Sequence, residues 1–284
     1  MGEITKSGNF EIILGKALQI PGVKVYRDEF LTNTFADRKS PKQLVDIIKN
    51  GPYNAGIERK EIDNLASSIV SKRTLTSTSL SFGAGLPGGI AMAGAIPADI
   101  IQFFGIALRL SQELAYLYGH QDLWLEDHLD TEKARSNLIL YLGVMFGVGG
   151  STSAIKLVAS GMSKQVLKRL PQKALTKTIY YPVIKKISGY IGVKITKDSF
   201  AKGVSKAIPV VGGVVSGTVT YFTMRPMGKR LASTLSEALI LTEDDIENEF
   251  NELEKEFPDI IDVDSEVIES EDGEEDEGEE YNSK

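Results

Sequence analysis

Hydrophobic residues recur at helical spacing in several parts of this chain. The first clear case lies between about residues 58 and 71, where the apolar positions are Ile62, Leu65, Ile69 and Val70. A return every three or four residues predicts a helix with one apolar face. Earlier in the chain, Ser40 and Pro41 followed by Gln43 match a helix start. We therefore predict short helices in the N-terminal part and a longer helix after them.

A further helix is predicted over about residues 98–118, and most of its positions are apolar. At about 100° per residue, its polar residues fall mainly on one stripe. The charges of this stripe could have purely structural partners: Asp99 lies near the positive start of the helix, and Arg109 can pair with Glu113. Alternatively, the stripe lines a pocket or a seam between helices. The candidate ligand or seam residues are Asp99, Gln102, Arg109, Gln112 and Glu113.

Three segments of the chain contain no charged residue: residues 74–98, 136–155 and 207–224. The first has 25 residues, and as a helix it would reach about 37 Å, enough for a bilayer core of about 30 Å. Pro87 and Pro97 interrupt it, however. Each segment contains two glycines four residues apart, a spacing that lets helices approach closely in membranes and in soluble cores alike. The predicted fold is all-α, a compact multi-helix bundle with buried Gly/Ala-rich helices.

Charge divides the chain into a basic body and an acidic tail. The sequence has 39 Asp and Glu and 32 Lys and Arg, and its last 42 residues, from 243 onward, hold 21 of the acids and 2 Lys. Residues 1–242 therefore keep 18 acids and 30 bases. This division predicts that the tail is a solvating brush, a mask over the body, or a handle for a cationic partner.

The basic residues concentrate between residues 162 and 206, which hold 11 Lys and Arg against one Asp. Tyrosines lie among them, as at a surface that meets lipid headgroups. A solvated helix face is the alternative interpretation. No nucleic-acid motif is present, so the expected partners are an anionic membrane surface or the acidic tail. The candidate residues are Lys164, Lys168, Arg169, Lys173, Lys177, Lys185 and Lys186.

The tail begins with a helix signal and loses it after Pro258. Thr242 with Asp245 forms a helix start, and the apolar residues that follow share one face. We predict an amphipathic acidic helix over residues 242–257. Residues 258–284 are too rich in acids and too poor in apolar residues to fold alone, so we predict a disordered tail.

Several kinds of chemistry lack their residues in this sequence. There is no cysteine, which excludes disulfides and thiolate sites and fits a reducing compartment. Neither a phosphate-binding loop nor a nucleophile elbow is present, and His120 and His128 alone do not predict a metal site. Residues 1–10 do not read as an export signal. We expect no cofactor, no catalytic residue and a cytoplasmic location.

Several strings of residues resemble the EcsC protein family. They are Leu86-Pro-Gly-Gly-Ile-Ala-Met, Ile96-Pro-Ala-Asp-Ile-Ile-Gln, Gln112-Glu-Leu-Ala-Tyr-Leu-Tyr-Gly119, Leu142-Gly-Val-Met-Phe-Gly-Val-Gly149 and Lys206-Ala-Ile-Pro-Val-Val-Gly-Gly213. The similarity covers about residues 37–239. It implies a helical bacterial protein linked to a membrane, with transporter subunits as partners, and no catalytic residues to carry over. The predicted division is an N-terminal helical extension over residues 1–36, an EcsC-like domain over 37–241, and then the acidic helix and tail.

These observations leave three functions open. The first is a non-catalytic protein at the cytoplasmic membrane face, peripherally associated with it and accessory to a transport system. The second is a soluble module that binds an apolar ligand or a partner helix. The third is an enzyme that uses the stripe around Asp99.

Overall fold

A computed structural model describes residues 2–76, 98–124, 132–159, 182–184, 187 and 215–256. Helix is the only regular secondary structure in these ranges, which confirms the all-α prediction. Most of the first uncharged segment, the start of the third, all seven candidate membrane-binding lysines and arginine, and the predicted disordered tail lie outside the described residues.

The helices follow the predicted pattern closely where it was clearest. In chain order they are α1 (Gly2–Leu18), α2 (Arg27–Phe35), α3 (Pro41–Asn50), α4 (Arg59–Thr76), α5 (Ala98–Leu117), α6 (Glu132–Phe146), α7 (Ser151–Ala159), α8 (Val215–Ala238) and α9 (Glu243–Glu256). The Ser40 and Gln43 side chains cap the start of α3, where Pro41 is the first residue. Helix α4 continues beyond its predicted end near residue 71, because no proline or glycine stops it there.

Helix α5 lies at the centre of the bundle and contacts α1, α2, α4, α6 and α8. Leu108, Leu110 and Leu114 on this helix have no exposed surface. The ring of Phe10 on α1 meets Phe104 on α5 edge to face, with centroids 5.8 Å apart. Residues before position 37 therefore contribute to the same core as residues after it.

The second uncharged segment forms two helices and not one. Helix α6 ends at Phe146 and α7 begins at Ser151, with Gly147 and Gly150 between them at φ 65° and 71°. Positive φ values favour glycine because other residues meet a steric penalty there. A Cβ atom at Gly143 would lie 2.8 Å from Val183 Cγ2. The two glycines four residues apart thus act separately: Gly143 permits close packing, and Gly147 ends the helix.

No helix in the described ranges is both long enough and apolar enough to cross a membrane.

Helix α9 starts and packs as its sequence predicts. The Asp245 amide donates to Thr242 Oγ1 over 3.2 Å, and the Thr242 amide donates to Asp245 Oδ2 over 2.9 Å. Ile246 and Leu253 are buried on the face that meets the body, and α7 is the main contact of α9. The acidic part of the chain therefore begins as a helix docked on the bundle.

Candidate functional site

The N-terminal segment around residues 18–34 folds over α4 and α5 and encloses a cleft of about 650 Å³. This volume lies in the usual range for small-molecule sites, about 300–1,000 Å³. Apolar side chains from both walls reach the cleft; they include Leu18, Ile20, Val25, Phe30 and Ile69. Gly105 on α5 lets the N-terminal segment pack closely on the helix, because a Cβ atom there would come within 3.1 Å of Ile20 Cδ1 and 3.2 Å of Val23 Cγ2.

A buried carboxylate between two guanidinium groups forms the charged wall of the cleft. Glu113 Oε2 accepts a hydrogen bond from Arg73 Nε at 2.6 Å. Its other oxygen, Oε1, accepts one hydrogen bond from Arg73 Nη2 and a second, 3.1 Å long, from Arg109 Nε. Arg109 Nη1 also donates to the Gly22 carbonyl. The Glu113 side chain is 2% exposed, while those of Arg73 and Arg109 are 23% and 28% exposed. Two cations thus compensate the buried charge and themselves face the open space.

Gln112 fixes the N-terminal segment to α5 from the buried side. Its Oε1 accepts from the Val25 amide at 3.0 Å and from Trp124 Nε1 at 2.8 Å. Its Nε2 donates to the carbonyls of Val23 at 3.0 Å and Leu108 at 2.8 Å. All hydrogen-bonding positions of this amide are used, so the wall of the cleft is held in place without a ligand.

The structure brings three of the five candidate residues on α5 to this seam. Arg109, Gln112 and Glu113 all contact the segment or the cleft, and Arg109 forms the predicted ion pair with Glu113. Gln102 is half-buried two turns earlier, outside the network. Asp99 lies in the first turn of α5, and its side chain lies outside the described residues.

Sequence reasoning missed Arg73, the strongest partner of Glu113. The helix predicted to end near residue 71 stops short of Arg73, but α4 continues to Thr76 and carries Arg73 to the cleft. The two residues are 40 positions apart in the chain, so no local pattern connects them. A carboxylate on an apolar helix was the available signal, because a buried charge requires compensation.

A second polar cluster lies beyond the cleft, where α5 ends. Arg27 is 6% exposed and donates from Nε to the His120 carbonyl over 2.9 Å, and from Nη1 to the Ile48 carbonyl over 2.5 Å. His120 Nδ1 lies 2.7 Å from the Tyr141 hydroxyl. Burial lowers the pKa of His120 to about 4 and raises the pKa of Tyr141. The hydrogen bonds of Arg27 and His120 join α2, α3 and α6 at the end of α5. With these pKa values, His120 and Tyr141 are neutral near pH 7.

Comparison with protein-family models, curated proteins and solved structures found no match. The resemblance to the EcsC family therefore stays a prediction from the quoted strings.

Proposed function

We propose that this protein is a non-catalytic binding protein that holds a small molecule in the cleft between its N-terminal segment and helices α4 and α5. The observation that carries the proposal is a cleft of about 650 Å³ whose walls are already fixed by the buried hydrogen bonds of Gln112 and Glu113. A wall that is ordered before binding loses little conformational entropy when a ligand enters.

The chemistry of the described lining favours binding over catalysis. Its carboxylates are Glu29 and Glu113. Both carboxylate oxygens of Glu113 already accept hydrogen bonds from Arg73 and Arg109, so this group is occupied by the wall of the cleft. Guanidinium groups remain protonated in proteins and do not serve as bases.

Native mass spectrometry of the purified full chain tests this function. We expect a bound small molecule, and we expect it to be lost from an Asn33→Trp variant, because Asn33 is an exposed α2 residue that lines the cleft. Asn251→Trp is the matched control, since Asn251 is exposed on α9. Equal ligand content in both variants would contradict the cleft as the binding site.

A second candidate function is peripheral binding to an anionic membrane at its cytoplasmic face, as an accessory to a transport system. It is favoured by the basic composition of residues 162–206 and by the docked acidic helix. Lys156 on α7 lies 2.9 Å from Glu237 Oε2 and 2.7 Å from Glu249 Oε1. Burial opposes the charge of Lys156, but hydrogen bonds to these carboxylates outweigh it and raise the pKa of the amine. The acidic helix thus already bonds one cation of the body, which supports a tail that competes with lipid for the lysines.

Binding to phosphatidylglycerol vesicles tests this second function. The full chain is compared with a variant in which the acids of residues 271–280 are replaced by Gln and Asn. Tighter binding by the variant is expected if the tail competes with lipid for the lysines. Equal binding by the two proteins would contradict competition by the tail. Absence of binding by both would contradict the membrane function.

A further inference from the structure

We infer that the ligand of the cleft is a small amphipathic anion, with a carboxylate or phosphate group bound by Arg73 and Arg109 and an apolar part against the N-terminal segment. This inference rests on the proposed binding function and adds the chemical class of the ligand. It comes from the charges that line the cleft and from the hydrogen-bond donors that the ion pairs leave over.

Cations outnumber acids in the walls of the cleft. The lining contains four of them, Lys24, Lys72, Arg73 and Arg109, against the two acids Glu29 and Glu113. The carboxylate of Glu113 is almost fully buried and faces the arginines. A molecule in the open space therefore meets guanidinium groups before it meets that carboxylate, and the field there favours negative charge.

Both arginines keep N–H groups for a ligand within the described part of the chain. Arg73 directs Nε and Nη2 to Glu113, while Arg109 directs Nε to Glu113 and Nη1 to the Gly22 carbonyl. Each guanidinium presents five N–H donors, so Arg73 Nη1 and Arg109 Nη2 stay available. Glu113 holds the two planar groups in position, which suits the geometry of a carboxylate or a phosphate.

The remaining lining selects for an apolar body. Leu18 and Phe30 from the N-terminal segment and Ile69 from α4 line the same space as the arginines. A fully polar anion would leave these side chains against water, whereas an alkyl or aromatic group would cover them. Short-chain organic acids and phosphate monoesters combine both features.

Titration with matched probes tests this class of ligand. Octanoate and octyl phosphate are compared with neutral octanamide, at concentrations below micelle formation, by calorimetry and by the fluorescence of Trp124. Trp124 is the single tryptophan of the chain and lies 4.9 Å from Lys24 Nζ, which lines the cleft. We expect saturable binding of the two anions, and binding of octanamide weaker by about tenfold or more because the charge-assisted hydrogen bonds are lost.

Two double variants separate the guanidinium groups from net charge. Arg73→Gln with Glu113→Gln removes one guanidinium and the carboxylate together, so the net charge is unchanged and Arg109 keeps its hydrogen bond to the Gly22 carbonyl. Loss of the Arg73 donors should weaken anion binding by about tenfold or more. Arg59→Gln with Asp63→Asn removes an ion pair within α4, whose N–O distance is 3.8 Å, and should leave binding unchanged. If the first variant does not fold by circular dichroism, Ile69→Trp fills the cleft without touching the ion pair and should abolish binding.

The possible results distinguish this inference from the function on which it rests. If octanamide binds as tightly as octanoate, the anionic class is wrong while the binding function stands. If no probe binds and native mass spectrometry finds no ligand, both are wrong. If anion binding is observed, binding of the protein to phosphatidylglycerol vesicles identifies the source of the anion. Vesicle binding that is lost with Arg73 supports a lipid headgroup, and vesicle binding that does not depend on Arg73 supports a free metabolite.

Discussion

Among single residues, Gln112 holds the N-terminal segment on α5 through buried side-chain hydrogen bonds to Val23 and Val25. Replacement by Leu would leave the Val25 amide, the Val23 carbonyl and Trp124 Nε1 without their partner in a buried place. We expect Gln112→Leu to lower the free energy of unfolding by about 3 kcal/mol, since each orphaned group costs about 1–3 kcal/mol and relaxation recovers part of it.

Urea denaturation measures this loss, and Gln102→Leu is the matched control. Gln102 is a half-buried residue of the same helix outside the network, so we expect a change within about 0.5 kcal/mol. Similar losses in the two variants would show that the hydrogen bonds of Gln112 do not hold the N-terminal segment.

The buried imidazole of His120 should make the free energy of unfolding depend on pH. Burial lowers its folded pKa to about 4 from 6.5, so the unfolded chain binds a proton that the folded chain refuses between these values. Stability is complete above pH 6.5 and falls as pH drops toward 4, by up to about 3 kcal/mol. Part of the residue reaches solvent, but its Nε2 atom is buried.

The measurement is the free energy of unfolding of the unmodified chain and of His120→Gln at several pH values from 4 to 8. The difference between the two proteins cancels the acids of the tail, which titrate in both. We expect this difference to be constant above pH 7 and to shift in favour of the variant below pH 6. A difference that stays constant throughout would mean that the imidazole titrates normally.

At the scale of elements, glycine has opposite effects on two helices. A Cβ atom at Gly228 of α8 would lie 2.9 Å from Leu110 Cδ2 and 3.0 Å from Val70 Cγ2, whereas at Gly15 of α1 nothing lies within 4 Å. Gly228→Ala should lower stability by about 1–3 kcal/mol through overpacking. Gly15→Ala should raise it by about 0.5–1 kcal/mol, because alanine costs less entropy in a helix.

Thermal and urea unfolding of the two variants compare the same chemical change in different surroundings. Two stabilised proteins would mean that α4, α5 and α8 are not packed closely at Gly228. The contrast also shows the limit of sequence at this scale. The positions of α3, α4, α5 and α9 follow from periodicity and capping residues, but which glycine is a packing contact depends on the helix that lies against it.

At the scale of the whole molecule, α1 and the segment after it are part of the bundle. Phe10 packs on Phe104, Gln112 holds Val23 and Val25, and Arg27 bonds to the His120 carbonyl. We therefore expect removal of residues 1–36 to abolish cooperative unfolding, because α5 would lose its cover and its buried polar groups would lose their partners.

Thermal unfolding monitored by near-ultraviolet circular dichroism tests this expectation. Removal of residues 258–284 is the control, since the last described contact of the acidic region is made by α9. Cooperative unfolding of the chain that begins at residue 37 would support the predicted boundary between an extension and a separate domain.

Local sequence is sufficient to predict the helical class, the starts of α3 and α9, the apolar character of α5 and the pairing of Arg109 with Glu113. These features depend on residues within a few positions of one another, so local spacing is sufficient to predict them. Tertiary structure decided that Arg73 and the carbonyl of Gly22 complete the site, and that the segment of residues 136–155 turns back at Gly147. The first feature joins groups that are far apart in the chain. The second is one of several backbone conformations open to a glycine, and tertiary packing selects it.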